Sequence, residues 1–233
     1  MNPLHELIRR LPVRIEFLIV ITWAFGLPIF SSILSIGDSE VVSSRSAFTD
    51  ARLVSVLIFE LVQSLFLIWF LRVRGWTLEK IGLQITVRGT VVGGLLLGLL
   101  LLNHVLVGWL VQFLPVDMRM AIEQYPVAAK DLNMQLVFVV SAVNGAFEEV
   151  FVAGYIITAL MPVRGMWAAI NVSTGVRLLC HLYQGPVAFL VIVPMGLLFG
   201  YVYARQRALW ALIVAHVLLD IITFSLGASG NQP

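Results

Sequence analysis

Seven apolar stretches separated by short polar connectors account for most of the chain. A transmembrane helix needs about 20 apolar residues to cross the ~30 Å hydrocarbon core of a bilayer, and most of the stretches approach or exceed that length. The pattern therefore predicts an all-α, polytopic transmembrane helical bundle of about seven to eight spans. The predicted spans are residues 15–36, 53–71, 90–113, 134–161, 166–182, 187–204 and 209–226.

Composition agrees with a membrane protein and narrows its partners. Hydrophobic residues make up 60% of the 233 and charged residues 12%, whereas soluble domains have roughly 25% charged residues. The net charge of +2 is small and the basic residues are scattered among the connectors, so nucleic acid is not an expected partner. No repeat and no separate soluble segment interrupts the pattern. We therefore expect residues 1–233 to form one integral membrane domain.

The distribution of Lys and Arg predicts the orientation of the bundle. Cytoplasmic connectors of membrane proteins carry an excess of these residues. With a cytoplasmic N-terminus, the predicted inside segments hold ten of the 15, the outside segments hold four, and Arg177 falls within a span. We therefore predict a multi-pass protein of the cell membrane, in contact with lipid and with its N-terminus in the cytoplasm.

Two adjacent carboxylates stand out in the fourth stretch. Glu148 and Glu149 lie in an otherwise mostly apolar run, and an ionised group at the depth of a bilayer costs at least ~2.5–3.5 kcal/mol. Such a pair needs partners within the membrane. Two single carboxylates occur in earlier stretches: we interpret Glu16 as an interfacial residue, whereas Glu60 has only Gln63 as an obvious polar companion.

Ionisable residues within the spans become dense in the C-terminal half. Arg177 and His181 are four residues apart, as are His216 and Asp220, so the two members of each pair lie on one helix face. Together with the two glutamates they fall within residues 144–224. We expect the functional site to lie there, within the C-terminal spans.

Acids and imidazoles that converge in a low-dielectric site can activate a water molecule. A carboxylate can serve as a general base, and histidines can bind a metal or donate a hydrogen bond to an oxyanion. Asp220 could also fix the tautomer of His216. The same residue types could form a proton relay in a transporter, or pair only to stabilise the fold. Residue types alone leave these alternatives open.

The order and spacing of these groups resemble the CPBP family of intramembrane proteases. That family includes prenyl-protein (CAAX) endopeptidases and bacteriocin-processing or self-immunity proteins. Its first motif contains two glutamates, which Glu148 and Glu149 match, and its second ends in a histidine, which His181 matches. Its third is a histidine followed four residues later by asparagine or aspartate, matched by His216 and Asp220.

Two positions depart from the family pattern. Where the first motif has an arginine, four residues after its second glutamate, this chain has Ala153. Where the second motif has a phenylalanine, the chain has Arg177, which could restore a positive charge from another helix. The third motif ends in Asp220 and not in asparagine, so an anion replaces a neutral amide. The resemblance therefore leaves the catalytic competence of the chain open.

The resemblance implies an intramembrane endopeptidase. Glu148 or Glu149 would activate the attacking water. His181 would position that water or bind a divalent metal such as zinc, although such a residue set also serves a metal-free mechanism. His216 with Asp220 would stabilise the tetrahedral oxyanion. The implied substrate is a membrane-associated peptide or protein segment, with a prenylated C-terminus as one form of it.

Two other functions are compatible with the sequence. A catalytically weakened family member could act as a membrane scaffold or as a bacteriocin self-immunity factor, which Ala153 in place of the motif arginine favours. A proton-coupled transporter could use the glutamates and histidines as a relay. Against the transporter, the polar groups gather in one half of the chain, without the internal repeat that many transporters have.

Overall fold

A computed structural model of the chain describes residues 3–36, 47–123, 128–129 and 132–229. A π-helical segment, Glu149–Tyr155, joins two of its helices, and a 3-10 turn, Leu182–Gln184, follows another. Two-residue strands, β1 (Ala47–Phe48) and β2 (Ala128–Ala129), pair in parallel. The α-helices are α1 (Pro3–Arg9), α2 (Val13–Leu34), α3 (Asp50–Val73), α4 (Val87–Val111), α5 (Val116–Glu123), α6 (Met134–Glu148), α7 (Ile156–Arg164), α8 (Met166–Cys180), α9 (Val187–Gln206) and α10 (Leu209–Ser229).

The architecture is a polytopic helical bundle, which confirms the predicted class. Within the described residues, six helical stretches are long and apolar enough to cross a membrane. They are α2, α3, α4, the continuous stretch Met134–Arg164 that runs from α6 through the π-helical segment to α7, most of α9, and α10. Large apolar side chains such as Leu65 and Leu95 are exposed on the outside of the bundle, as expected for surfaces that face lipid.

Six membrane-crossing stretches are found where seven were predicted, and the missing one is the predicted span 166–182. These residues form α8, which has 15 residues and is therefore about 22 Å long at 1.5 Å per residue. That length is shorter than the hydrocarbon core. α8 packs against α2, α7 and α9 and buries Arg177 and Ile170. α8 thus buries one face inside the bundle, exposes apolar residues such as Trp167 on the other, and is too short for a full crossing.

Close approach of the helices depends on glycines in α4 and α6, both of which pack against α10. A Cβ atom at Gly93 would lie 2.8 Å from the carbonyl oxygen of Ala211, and one at Gly145 would lie 2.8 Å from Cγ2 of Val217. Real Cβ atoms essentially never show such distances. Both positions therefore require a residue without a side chain, because a larger one would force the helices apart.

Glu16 holds together one end of the bundle, where α2 begins and α3 ends. Its carboxylate accepts hydrogen bonds from Nε of Arg74, from Nε1 of Trp76 at 2.9 Å and from the hydroxyl of Tyr155 at 3.2 Å. Glu16 lies in the first turn of α2 and is buried, so its carboxylate is paired inside the bundle and is not exposed on its surface. The connector after α3 folds back and supplies two of these partners, Arg74 and Trp76, and the π-helical segment supplies Tyr155. We call this end the N-terminal end of the bundle.

We predict that Gly93→Ala destabilises the protein, by about 1–3 kcal/mol, because the added methyl group overpacks the contact between α4 and α10. The measurement is thermal unfolding of the detergent-solubilised protein. Gly94→Ala is the matched control, since Gly94 is the next residue of α4 and a Cβ there meets no atom within 4 Å. Equal stability of the two variants would show that the close contact at Gly93 is not needed.

Candidate active site

Glu148 and Glu149 lie where α6 gives way to the π-helical segment. Consecutive residues of a helix point about 100° apart, so two adjacent carboxylates reach different surroundings. Glu148 lines a cavity of about 360 Å³ between the helices. Glu149 is completely buried and faces α8 and α10, as its hydrogen bonds show. The adjacent acids therefore occupy two distinct environments.

Buried hydroxyl groups from neighbouring helices support the π-helical segment. The wider turn changes the backbone hydrogen bonding, and carbonyl groups freed inside a membrane need other donors. Ser173 of α8 donates to the carbonyl oxygen of Val152 at 2.8 Å, and the hydroxyl of Tyr203 lies 3.1 Å from the carbonyl oxygen of Gly154. The tertiary structure thus stabilises the irregular turn that carries Glu149.

Glu149 is enclosed by two donors from two other helices. Nη2 of Arg177 lies 2.8 Å from its Oε1 and 2.9 Å from its Oε2. Nδ1 of His216 lies 2.6 Å from Oε1. Because a carboxylate oxygen only accepts, Nδ1 of His216 carries the proton in this contact. Glu149 therefore connects the π-helical segment to α8 and to α10.

Arg177 supplies positive charge to both glutamates. Besides its contacts with Glu149, it donates from Nη1 to Oε2 of Glu148 at 3.1 Å, and its side chain is 1% exposed. The guanidinium also lies 5.8 Å from the centre of the Phe199 ring. Ala153, where the motif arginine would stand, is buried. In this chain the cation beside the acids comes from α8.

His181 approaches Glu148 from the end of α8. Its Nδ1 lies 2.8 Å from the carbonyl oxygen of Arg177, and a carbonyl can only accept, so Nδ1 carries a proton. The other ring nitrogen, Nε2, is 4.0 Å from Oε1 of Glu148. That separation is too long for a direct hydrogen bond. It does allow one water molecule to contact both atoms.

His216 and Asp220 lie one turn apart on α10, with Nε2 of His216 3.7 Å from Oδ1 of Asp220. This separation exceeds hydrogen-bonding distance. The contact that fixes the His216 ring is therefore the one between Nδ1 and Glu149, not the one with Asp220 that the spacing suggested. Both His216 and Asp220 line the cavity.

All five residues predicted for the site meet in one region of the bundle. Four of them line the cavity, namely Glu148, His181, His216 and Asp220, and Glu149 lies behind the wall in contact with His216. These residues come from α6, the π-helical segment, the turn after α8, and α10. Glu148 and Asp220, which are 72 residues apart in the sequence, thus border the same cavity.

Sequence reasoning missed Asn144 and did not find the partner of Glu60. Nδ2 of Asn144 donates to Oε1 of Glu60 at 2.6 Å. Asn144 and Glu60 both line the cavity. The spacing of four between Asn144 and Glu148 was a signal that they share one face of α6, which is the face toward the cavity. No spacing could indicate Glu60, which belongs to α3.

The residues present do not fit a zinc ion. Catalytic zinc sites use three protein ligands, and among the described residues no group of three or more His, Cys, Asp or Glu side chains is placed to hold a metal. The carboxylate of Glu149 is already bound by a guanidinium and an imidazole. Glu148 and His181 alone would be an incomplete ligand set.

Fold and site together define a class: a helical integral membrane protein with carboxylates and imidazoles gathered at an internal cavity. Residues 130–222, which hold the whole site, match the sequence model of the family described as type II CAAX prenyl endopeptidase Rce1-like. This match covers less than half of the chain and confirms the resemblance of that part to CPBP intramembrane proteases. No curated protein and no solved structure matches the chain.

We predict that Arg177→Met lowers the free energy of unfolding by about 3–5 kcal/mol, because removing one member of a buried ion pair leaves uncompensated buried charge. Thermal unfolding in detergent measures the loss. Arg164→Met is the control, since Arg164 is exposed at the end of α7. Adding Glu149→Gln to Arg177→Met should recover part of the stability. Equal melting of the two single variants would contradict a stabilising role of the buried cation.

Proposed function

We propose that the protein is an intramembrane endopeptidase in which Glu148 is the general base. The observation that supports this choice is the difference between the two glutamates. Glu148 borders the cavity with 15% of its side chain exposed, whereas Glu149 is 0% exposed and bound by Arg177 and His216. A water molecule that enters the cavity can reach Glu148 but not Glu149. Glu149 is then a positioning residue.

The attacking water would lie between Glu148 and His181. With Nδ1 of His181 protonated against a carbonyl, Nε2 is left to accept a hydrogen bond. A water molecule in the 4.0 Å gap can donate one hydrogen to Oε1 of Glu148 and the other to Nε2 of His181. Its oxygen lone pair then points at the substrate carbonyl carbon. Glu148 takes up the proton as the carbon–oxygen bond forms.

His216 would stabilise the oxyanion of the tetrahedral intermediate. Glu149 holds the ring through Nδ1, and Nε2 lies on the side of Asp220 and the cavity. The imidazolium form of His216, with a proton on each ring nitrogen, can donate a hydrogen bond from Nε2 to the developing negative charge, in a site that the bundle shields from most water. Collapse of the intermediate breaks the carbon–nitrogen bond, and the proton held by Glu148 passes to the leaving amine.

The proposed substrate is a peptide segment held at or within the membrane. Its scissile bond must reach the cavity between the helices, and the exposed apolar surface of the bundle favours substrates that are already concentrated in the bilayer. The matched family is described as a CAAX prenyl endopeptidase, a name that refers to cleavage of lipid-modified peptides. For this chain, we propose a membrane-anchored peptide without assigning the anchor.

We predict that Glu148→Gln lowers the rate of cleavage at least ~100-fold, because the amide cannot accept the proton of the attacking water. The assay is mass spectrometry of lipid-anchored peptides in proteoliposomes that contain the purified protein. Glu79→Gln, an exposed carboxylate on the connector after α3, is the control and should cleave like the unchanged protein. Thermal unfolding should show that Glu148→Gln remains folded.

Two outcomes separate the protease from a scaffold that retains the domain. Undiminished cleavage by Glu148→Gln would refute Glu148 as the base. If the unchanged protein cleaves no anchored peptide, and Glu148→Gln supports its biological role fully, the chain acts without proteolysis. Glu149→Gln should differ from Glu148→Gln in stability, because it leaves Arg177 partly unpaired in the interior.

A further inference from the structure

The residues that line the cavity all lie in one half of the bundle. α2 contributes only its later residues and α3 only its first turns, as shown by Pro28, Ser32, Arg52 and Glu60. α10 contributes residues from His216 onward. Since α2 and α10 end, and α3 begins, at the end of the bundle opposite the N-terminal end, the cavity lies toward that opposite end.

The shortness of α8 provides space for the cavity. α8 starts beside Arg164 and stops at Cys180, and the chain turns through Leu182–Gln184 before α9 returns. Tyr183 and Gln184 of this turn line the cavity. Because α8 is only about 22 Å long, it does not reach the end of the bundle opposite the N-terminal end, and the space beyond its last residue is not filled by a helix. In the described chain, the cavity occupies that side of the bundle.

The N-terminal end of the bundle has a surface pocket lined by Glu79, Arg207 and Trp210, but a layer of buried contacts closes this end off from the carboxylates. The hydroxyl of Tyr203 donates to the carbonyl oxygen of Ile81 at 3.0 Å, and Tyr203, Tyr155 and Ile81 are all buried. Arg207 donates to Thr158 at 2.8 Å and to the carbonyl oxygen of Lys80. The connector between α3 and α4 is thereby fastened across this end. Access to the carboxylates from this side would require breaking these contacts.

The distribution of positive charge assigns these two ends to the two sides of the membrane. Arg9, Arg74, Lys80, Arg164 and Arg207 belong to the N-terminal end, together with Arg10, Arg14, Arg72, Arg88 and Arg205. The opposite end has Arg52 and Arg119, and in sequence also Arg45 and Lys130, which lie outside the described residues. Such an excess marks the cytoplasmic side, so the closed end faces the cytoplasm.

We infer that the cavity opens on the non-cytoplasmic side of the membrane. If the proposed peptidase function holds, its substrate is a peptide segment presented at the non-cytoplasmic face or in that leaflet. A lipid-modified C-terminus held at the cytoplasmic leaflet would meet the closed end. The direction of access does not itself depend on catalysis, because it follows from helix ends, buried contacts and charge.

Cysteine labelling from one side of the membrane tests this inference. Cys180 is the single cysteine of the chain, so Cys180→Ser provides a background without thiols. Thr223→Cys places a thiol at an exposed position that lines the cavity, and Gln184→Cys provides a second cavity position. Glu79→Cys is the matched control on the exposed connector of the N-terminal end. The probe is a membrane-impermeant charged methanethiosulfonate reagent.

In intact cells we expect at least a tenfold faster labelling of Thr223→Cys than of Glu79→Cys, and the reverse in inside-out vesicles. Labelling of Thr223→Cys only in inside-out vesicles would overturn the inference, as would labelling of both variants from the same side. Absence of labelling at both cavity positions from either side, with full labelling after unfolding, would also overturn it. The readout needs no cleavage, so an active Glu148→Gln variant would refute the proposed mechanism and leave this result standing.

Discussion

The site depends on the neutralisation of one buried positive charge. Burying an ion costs several kcal/mol even after the surroundings relax, and only close partners with good geometry offset that cost. The guanidinium of Arg177 therefore has to meet both carboxylates, and Glu149 in turn has to meet His216. This requirement fixes the relative positions of three segments that are far apart in sequence. The cavity is the space that remains beside Glu148 once those segments are locked together.

Two carboxylates with the same chemistry acquire different roles from their surroundings, a pattern known from other enzymes with paired acids. Glu149 has no contact with the cavity and is held by two donors, so it orients the groups around it. Glu148 keeps one face toward the cavity and is held by a single hydrogen bond from Arg177. The π-helical segment contributes to this division, because its wider turn begins between the two residues.

The bundle class and the positions of the site residues could be predicted because they depend on local sequence. Apolar length identifies helices that can cross a bilayer, and ionised groups at that depth identify a functional site. The rest depends on contacts between distant segments. The partner of Glu16 is Arg74, 58 residues away, and the π-helical segment needs the hydroxyls of Ser173 and Tyr203. Apolar composition also looks the same in a helix that crosses the bilayer and in the shorter helix α8, so only the observed length of α8 distinguishes it.

The place of the cation on α8 has a consequence for how such a sequence can change over generations. Moving the charge to position 153 would require two substitutions in different helices. An arginine at the buried position of Ala153, with Arg177 still present, would add a second cation to the interior of the bundle. Losing Arg177 first would leave both acids unneutralised. Either order passes through an unstable protein, so a lineage that carries its cation in α8 is held there. A sequence search that requires an arginine four residues after the second glutamate would miss proteins with this arrangement.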